Sequence, residues 1–125
     1  MIYLDTHVVV WLYAGLVDKL GTVARELLVG SDLYVSPIVL LELQSLFEIQ
    51  RISVDSATIR HDLAHRIGLR ICEKSFAAVV AKACESAWTR DPFDRLIVAH
   101  AALDDIILLS KDQSIQQFYA QARWS

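Results

Sequence analysis

Five acidic side chains, Asp5, Glu42, Asp91, Asp94 and Asp112, stand where a carboxylate raises a question of chemistry. Glu42 is the least expected of them. It sits inside IVLLELQSLF, Ile38 to Phe47, and at helical spacing its face carries Ile38, Ser45, Leu46 and Ile49, so the carboxylate emerges from a mainly apolar stripe. Such a glutamate costs stability unless it is paired, liganded or at the rim of a cleft; a head that merely reaches water is the competing explanation. In TRDPFDRLIVAHA, Asp91 suits a helix N-cap, Pro92 the first helical position, and Asp94 the positive end of the helix dipole. Thr6 follows Asp5 and suits either a helix cap or a group that orients the acid.

These acids acquire a common purpose if they share a cleft. Two like charges about 4 Å apart repel by roughly 4 kcal/mol at an effective dielectric of about 20, so three or four carboxylates together require protonation or a cation. Carboxylate oxygens with retained waters suit Mg²⁺ or Mn²⁺, and the chain has no thiolate or imidazole cluster that would select zinc. Cys72 and Cys84 form no CxxC pattern and read as small core residues, and the pair His61 and His65, spaced i, i+4, lacks a third ligand. His7 and His100 flank two of the acids and read as structural histidines. An open carboxylate-held metal activates water and shields an attacked phosphate, which points to phosphodiester hydrolysis.

The elements that must position these acids alternate between short apolar runs and helical stretches. Strands are expected at Ile2 to Leu4, Leu33 to Val35, Leu69 to Cys72 and Ile106 to Leu109. Thr6 can cap a helix from His7 to about Ala14, although the three valines there equally suit a strand, and a helix is expected from Thr22 to Val29, closed by Gly30. Further helices run from Ser36-Pro37 to about Gln50, from Asp55 or Ser56 to Gly68, from about Ser75 to Ala87, from Asp91-Pro92 to about Leu103, and over Ser114 to Tyr119. This alternation implies an α/β sandwich on a mostly parallel sheet, whose ligands sit beyond the carboxyl ends of the strands. Asp5 and Asp112 both fall at that edge.

With 125 residues the chain fits a single domain, residues 1–125, able to bury roughly two thirds of its unfolded surface. A net charge of −3 argues against nucleic-acid binding by overall positive potential, though Arg51, Arg90, Arg95 and Arg123 leave room for a local basic patch. The apolar run Val8 to Val17 is too short for a bilayer span and Asp5 stands where a signal peptide is basic, so a cytoplasmic location and no membrane partner are expected. Mean hydropathy is high, at +0.37, and leads us to expect an apolar face covered by another chain.

Four segments in order, IYLDTHVVVWL, SPIVLLELQSL, RDPFDRLIVAHA and ILLSKDQSI, resemble the PIN-domain family, and within it the VapC-type toxin ribonucleases of toxin–antitoxin pairs. The resemblance covers the whole chain. It implies a PIN-like three-layer sandwich and a Mg²⁺- or Mn²⁺-dependent endoribonuclease acting on single-stranded RNA. It also implies that Asp5, Glu42, Asp94 and Asp112 are the catalytic, metal-binding acids, with Thr6 and Asp91 in support; Arg90 and Arg95, from the possible basic patch, are the candidates to touch substrate. A cognate antitoxin and a homodimer are the implied partners. Two other readings compete: a receiver-like phosphoacceptor domain, disfavoured because a single acid follows the first strand, and a catalytically silent PIN-like binding module.

Overall fold

The computed structural model describes all 125 residues. Five short strands form one sheet: β1 (Ile2–Leu4), β2 (Leu33–Val35), β3 (Arg70–Ile71), β4 (Leu108–Leu109) and β5 (Ala122–Arg123). Their order is β3-β2-β1-β4-β5, and every pairing is parallel, with Tyr3 opposite both Tyr34 and Leu108. The expected α/β architecture is therefore present, with a wholly parallel sheet. β1 lies at the centre because Ile2, Tyr3 and Leu4 are buried, as are Leu108 and Leu109 beside them.

Seven helices flank the sheet: α1 (Thr6–Ala14), α2 (Thr22–Leu28), α3 (Pro37–Glu48), α4 (Ser56–Ile67), α5 (Phe76–Cys84), α6 (Pro92–Ala102) and α7 (Gln113–Phe118). Polar caps start most of them. Ser36 accepts from Ile38 N, Asp55 from Thr58 N, Ser75 from Ala78 N, and Asp91 from both Phe93 N and Asp94 N. α1 stops at Gly15, whose φ of 71° a β-carbon would penalise. Gly21 has a different reason to lack one: a β-carbon there would lie 2.2 Å from the Trp124 carbonyl oxygen. That close approach lets Ala24 N donate to Trp124 O at 2.9 Å and docks α2 on the end of the chain.

Four local expectations are corrected. α1 is capped by Asp5, not Thr6, because the Asp5 carboxylate takes the Thr6 N–H and leaves Thr6 as the first helical residue. α7 begins at Gln113, one residue before the approximate start at Ser114, with Asp112 as its cap. β5 was not expected, since two residues carry no readable alternation. Cys72 is buried as expected, but Cys84 is exposed at the end of α5. No helix is long and apolar enough to cross a membrane.

Candidate active site

In the order β3-β2-β1-β4-β5 the chain moves outward from β1 in one direction and then from β4 in the other, so the switch point lies between β1 and β4. Open parallel sheets bind ligands in the crevice beyond the carboxyl ends of such strands. Asp5 leaves β1 at that point and is 6% exposed. Its Oδ1 accepts from Thr6 N at 2.8 Å and its Oδ2 from the Ser110 hydroxyl at 2.7 Å. The Ser110 oxygen in turn accepts from Asp112 N at 3.1 Å, so one serine links the two acids that follow β1 and β4. Burial pushes the Asp5 carboxyl up, while the bonds from Ser110 and Thr6 pull the other way.

Glu42 arrives from α3, which leaves β2. It is half-buried, and its Oε1 accepts from the Thr6 hydroxyl. Thr6 thus serves both acids, through its amide to Asp5 and its hydroxyl to Glu42. Burial raises the Glu42 carboxyl, the Thr6 bond lowers it, and the charges of Asp5 and Asp91 raise it further.

Asp91 and Asp94 divide the opening of α6 between them. Asp91 is exposed, and its Oδ1 is occupied by Phe93 N at 2.9 Å and Asp94 N at 3.4 Å. The Asp94 side chain is half-buried and accepts no hydrogen bond. Its carboxyl is pushed up to about 7, first by burial and then by the charges of Asp91, Asp5, Asp112 and Glu42. All four other acids act on Asp94, which makes it the electrostatic centre of the group. Asp112 is exposed, with Oδ1 bonded to Ile115 N at 2.9 Å as the cap of α7.

The donor set is all oxygen, which suits a hard divalent cation. As the side chains stand, no three His, Cys, Asp or Glu residues are close enough to hold one ion together. Mg²⁺ commonly takes only one or two carboxylates and keeps its waters, so the acids fit it in that open mode rather than as a closed cage. An unbonded carboxylate surrounded by like charge is the place where such an ion relieves most repulsion.

A sequence profile of the PIN domain matches residues 2–121. The chain belongs to the PIN-domain family. Two solved structures share the fold of this PIN domain. One is VapBC2 from Rickettsia felis bound to a DNA fragment from their promoter, at a TM-score of 0.71 and 20% identity over 100% of both chains. The other is a toxin–antitoxin complex from Klebsiella pneumoniae, at a TM-score of 0.67 and 16% identity over 98% of this chain and 96% of that one. No curated protein matches the sequence.

Other residues singled out in the sequence lie apart from the acids or do structural work. Arg95 donates from Nη2 to Ala83 O at 2.9 Å and Arg90 from Nη1 to Ala87 O at 3.2 Å, so the two guanidinium groups of this PIN domain tie down the last turn of α5 and the segment that follows it. His100 is buried, with Nδ1 2.7 Å from the Ser36 hydroxyl and Nε2 without a partner; burial pushes it toward the neutral form. His61 and His65 meet edge to face at 4.8 Å without a third ligand. His7 is exposed and its charge favours the ionised forms of both Asp5 and Glu42. Ser110 was missed in the sequence; the available signal was its place as the first polar residue after the aliphatic run ending at Leu109. A cavity of about 810 Å³ between α1, the end of α3 and the start of α4 is lined by none of the five acids.

Proposed function

We propose that this PIN domain is the toxin of a toxin–antitoxin pair, a Mg²⁺- or Mn²⁺-dependent endoribonuclease that hydrolyses phosphodiester bonds in single-stranded RNA. The observation that carries this reading is Asp94, an unbonded carboxyl raised to about 7 among four other acids. Perturbed acids of this kind mark sites where a proton or a cation is handled. The two similar structures, VapBC2 and the Klebsiella pneumoniae toxin–antitoxin complex, support the toxin role and an antitoxin partner. Exposed Val29, Leu41, Ile49 and Phe76 offer apolar surface for that partner or for a second copy in a homodimer.

In this reading Asp5, Glu42, Asp94 and Asp112 are the catalytic acids, of which one or two would ligate the ion directly and the others would act through its retained waters. A bound Mg²⁺ or Mn²⁺ would supply a water of lowered pKa and would screen the phosphate. The chain supplies orientation. Ser110 and Thr6 N fix both oxygens of Asp5, the Thr6 hydroxyl fixes Glu42, and the cap made by Asp91 starts α6 so that Asp94 faces the other acids. The receiver-like alternative fits poorly, because β2 is followed by Ser36, whose hydroxyl caps α3 and meets His100, where an acceptor aspartate is required.

Incubation of the purified chain with labelled single-stranded RNA, in Mn²⁺ or Mg²⁺ and in EDTA, tests the proposal. Cutting only with metal supports it. Intact RNA under every metal condition sinks it in favour of a silent binding module.

A further inference from the structure

Beside the acids lies a second group of side chains that the chemistry of hydrolysis leaves unused. Trp11 follows Asp5 on α1 at a rise of about 9 Å along the helix axis. Its ring lies under two ammonium groups, with Lys19 Nζ 6.0 Å and Lys111 Nζ 5.7 Å from the centroid. His7, one helical turn earlier, stands 6.0 Å from the same ring, and Trp124 packs at 5.7 Å and fixes its orientation. Trp11 is half-buried, whereas His7, Lys19 and Lys111 are exposed.

Both lysines are free. The ion pairs of the molecule are Arg66 with Asp62, Lys74 with Asp104 and Lys82 with Glu85, and neither Lys19 nor Lys111 enters one. Each ammonium group stands about 6 Å from the indole centroid without a carboxylate partner, so each is available to an anion. The group is also continuous with the acids. Lys111 lies between Ser110, whose hydroxyl bonds Asp5, and Asp112, whose amide bonds Ser110, while His7, two residues after Asp5, has its ring 6.0 Å from that of Trp11.

We propose that Lys19, Lys111 and Trp11 form a subsite for the nucleotide flanking the cleaved bond: each ammonium group takes a backbone phosphate, and the exposed part of the indole takes a base or sugar. This assignment rests on the nuclease reading above. In a chain of net charge −3, a polyanion is held only where unpaired cations are gathered, and the two free lysines supply them next to the acids. An aromatic face among cations is the usual platform for unpaired nucleic acid, which favours RNA over an acidic peptide as the occupant.

The test is binding of a fluorescein-labelled single-stranded oligoribonucleotide, read by anisotropy over a range of salt. Ca²⁺ replaces the working metal and the RNA is checked for integrity afterwards. Each phosphate contact on a single strand contributes about 0.7 to the slope of log K against log salt, so Lys19→Gln with Lys111→Gln should flatten the slope by about 1.4 if each lysine neutralises one charge. Lys19→Arg with Lys111→Arg should retain it. An unchanged slope in the Gln pair overturns the subsite while leaving the nuclease reading intact if the wild type still cuts RNA. Loss of polyglutamate binding in the Gln pair with RNA binding unchanged assigns the lysines to a protein partner and overturns it too. A wild type that neither binds nor cuts RNA removes both readings.

Discussion

The Ser110 hydroxyl donates to Asp5 Oδ2 at 2.7 Å and, through the same oxygen, accepts the Asp112 amide at 3.1 Å. It joins the end of β1 to the end of β4 across 105 residues of chain and makes the two strand-end acids one unit. Ser110→Ala removes this link and leaves a buried acid short of a partner. We expect a loss of about 1–3 kcal/mol in stability and about 10- to 100-fold in metal affinity. Urea denaturation and Mn²⁺ titration read the two effects separately, and normal metal affinity in a destabilised variant would confine Ser110 to folding.

Thr6 makes a different prediction because its two contacts separate. Its amide bond to Asp5 survives any substitution other than proline, whereas its hydroxyl bond to Glu42 does not. Thr6→Val should therefore keep the fold and lower metal-dependent cleavage by about 10-fold or more, while Thr6→Ser restores most of it. Equal activity in the Val and Ser variants would show that the Glu42 contact is incidental.

The pH dependence follows from the sign of the acid shifts. Asp94 is raised to about 7, and Asp5 and Glu42 are raised as well. An acid with a raised pKa in the folded state contributes stability that is full below its unfolded value and is lost as the pH rises through the folded value. His100, held toward neutral, works in the opposite sense and contributes only above its own unfolded range. Metal-free protein should lose stability between about pH 4 and about pH 7, and Asp94→Asn should show a smaller loss because residue 94 no longer titrates, His100 contributing equally to both proteins. Mg²⁺ added at the upper pH should restore the wild type more than the variant. Thermal melts across this range read all three, and parallel pH profiles of the two proteins would contradict the assignment.

Asp91 tests the division of labour at the start of α6. Its Oδ1 is committed to two backbone amides, a role that asparagine also performs. Asp91→Asn should keep most of the activity, whereas Asp91→Ala should cost about 1 kcal/mol of stability. An Asn variant that is stable but inactive would place Asp91 among the working acids.

Much of this arrangement was legible in the sequence because it rests on local signals. Caps and prolines at Ser36-Pro37 and Asp91-Pro92 announced two helices, and the aliphatic run before Ser110 announced a buried strand. Glu42 stood out because its neighbours are apolar. What escaped depends on contacts between distant parts of the chain. The sequence left Thr6 open between a cap and a group that orients the acid, and the Asp5–Thr6 amide bond decides it, while Ser110 was marked only by its place after the aliphatic run. β5 is a strand only because Leu108 and Leu109 pair with it. Arg90 and Arg95 flank the acids in sequence but bond carbonyls near α5, and the free lysines beside Trp11 come from separate segments.

The most direct measurement is the rate at which wild type, Asp94→Asn and Asp91→Asn cut a single-stranded RNA as Mn²⁺ is titrated from none to saturation. Wild type and Asp91→Asn should share a metal-dependent rise, and Asp94→Asn should stay near the metal-free baseline at every concentration while remaining folded. Metal-dependent cutting by Asp94→Asn at the wild-type rate would contradict the central place given to that carboxylate.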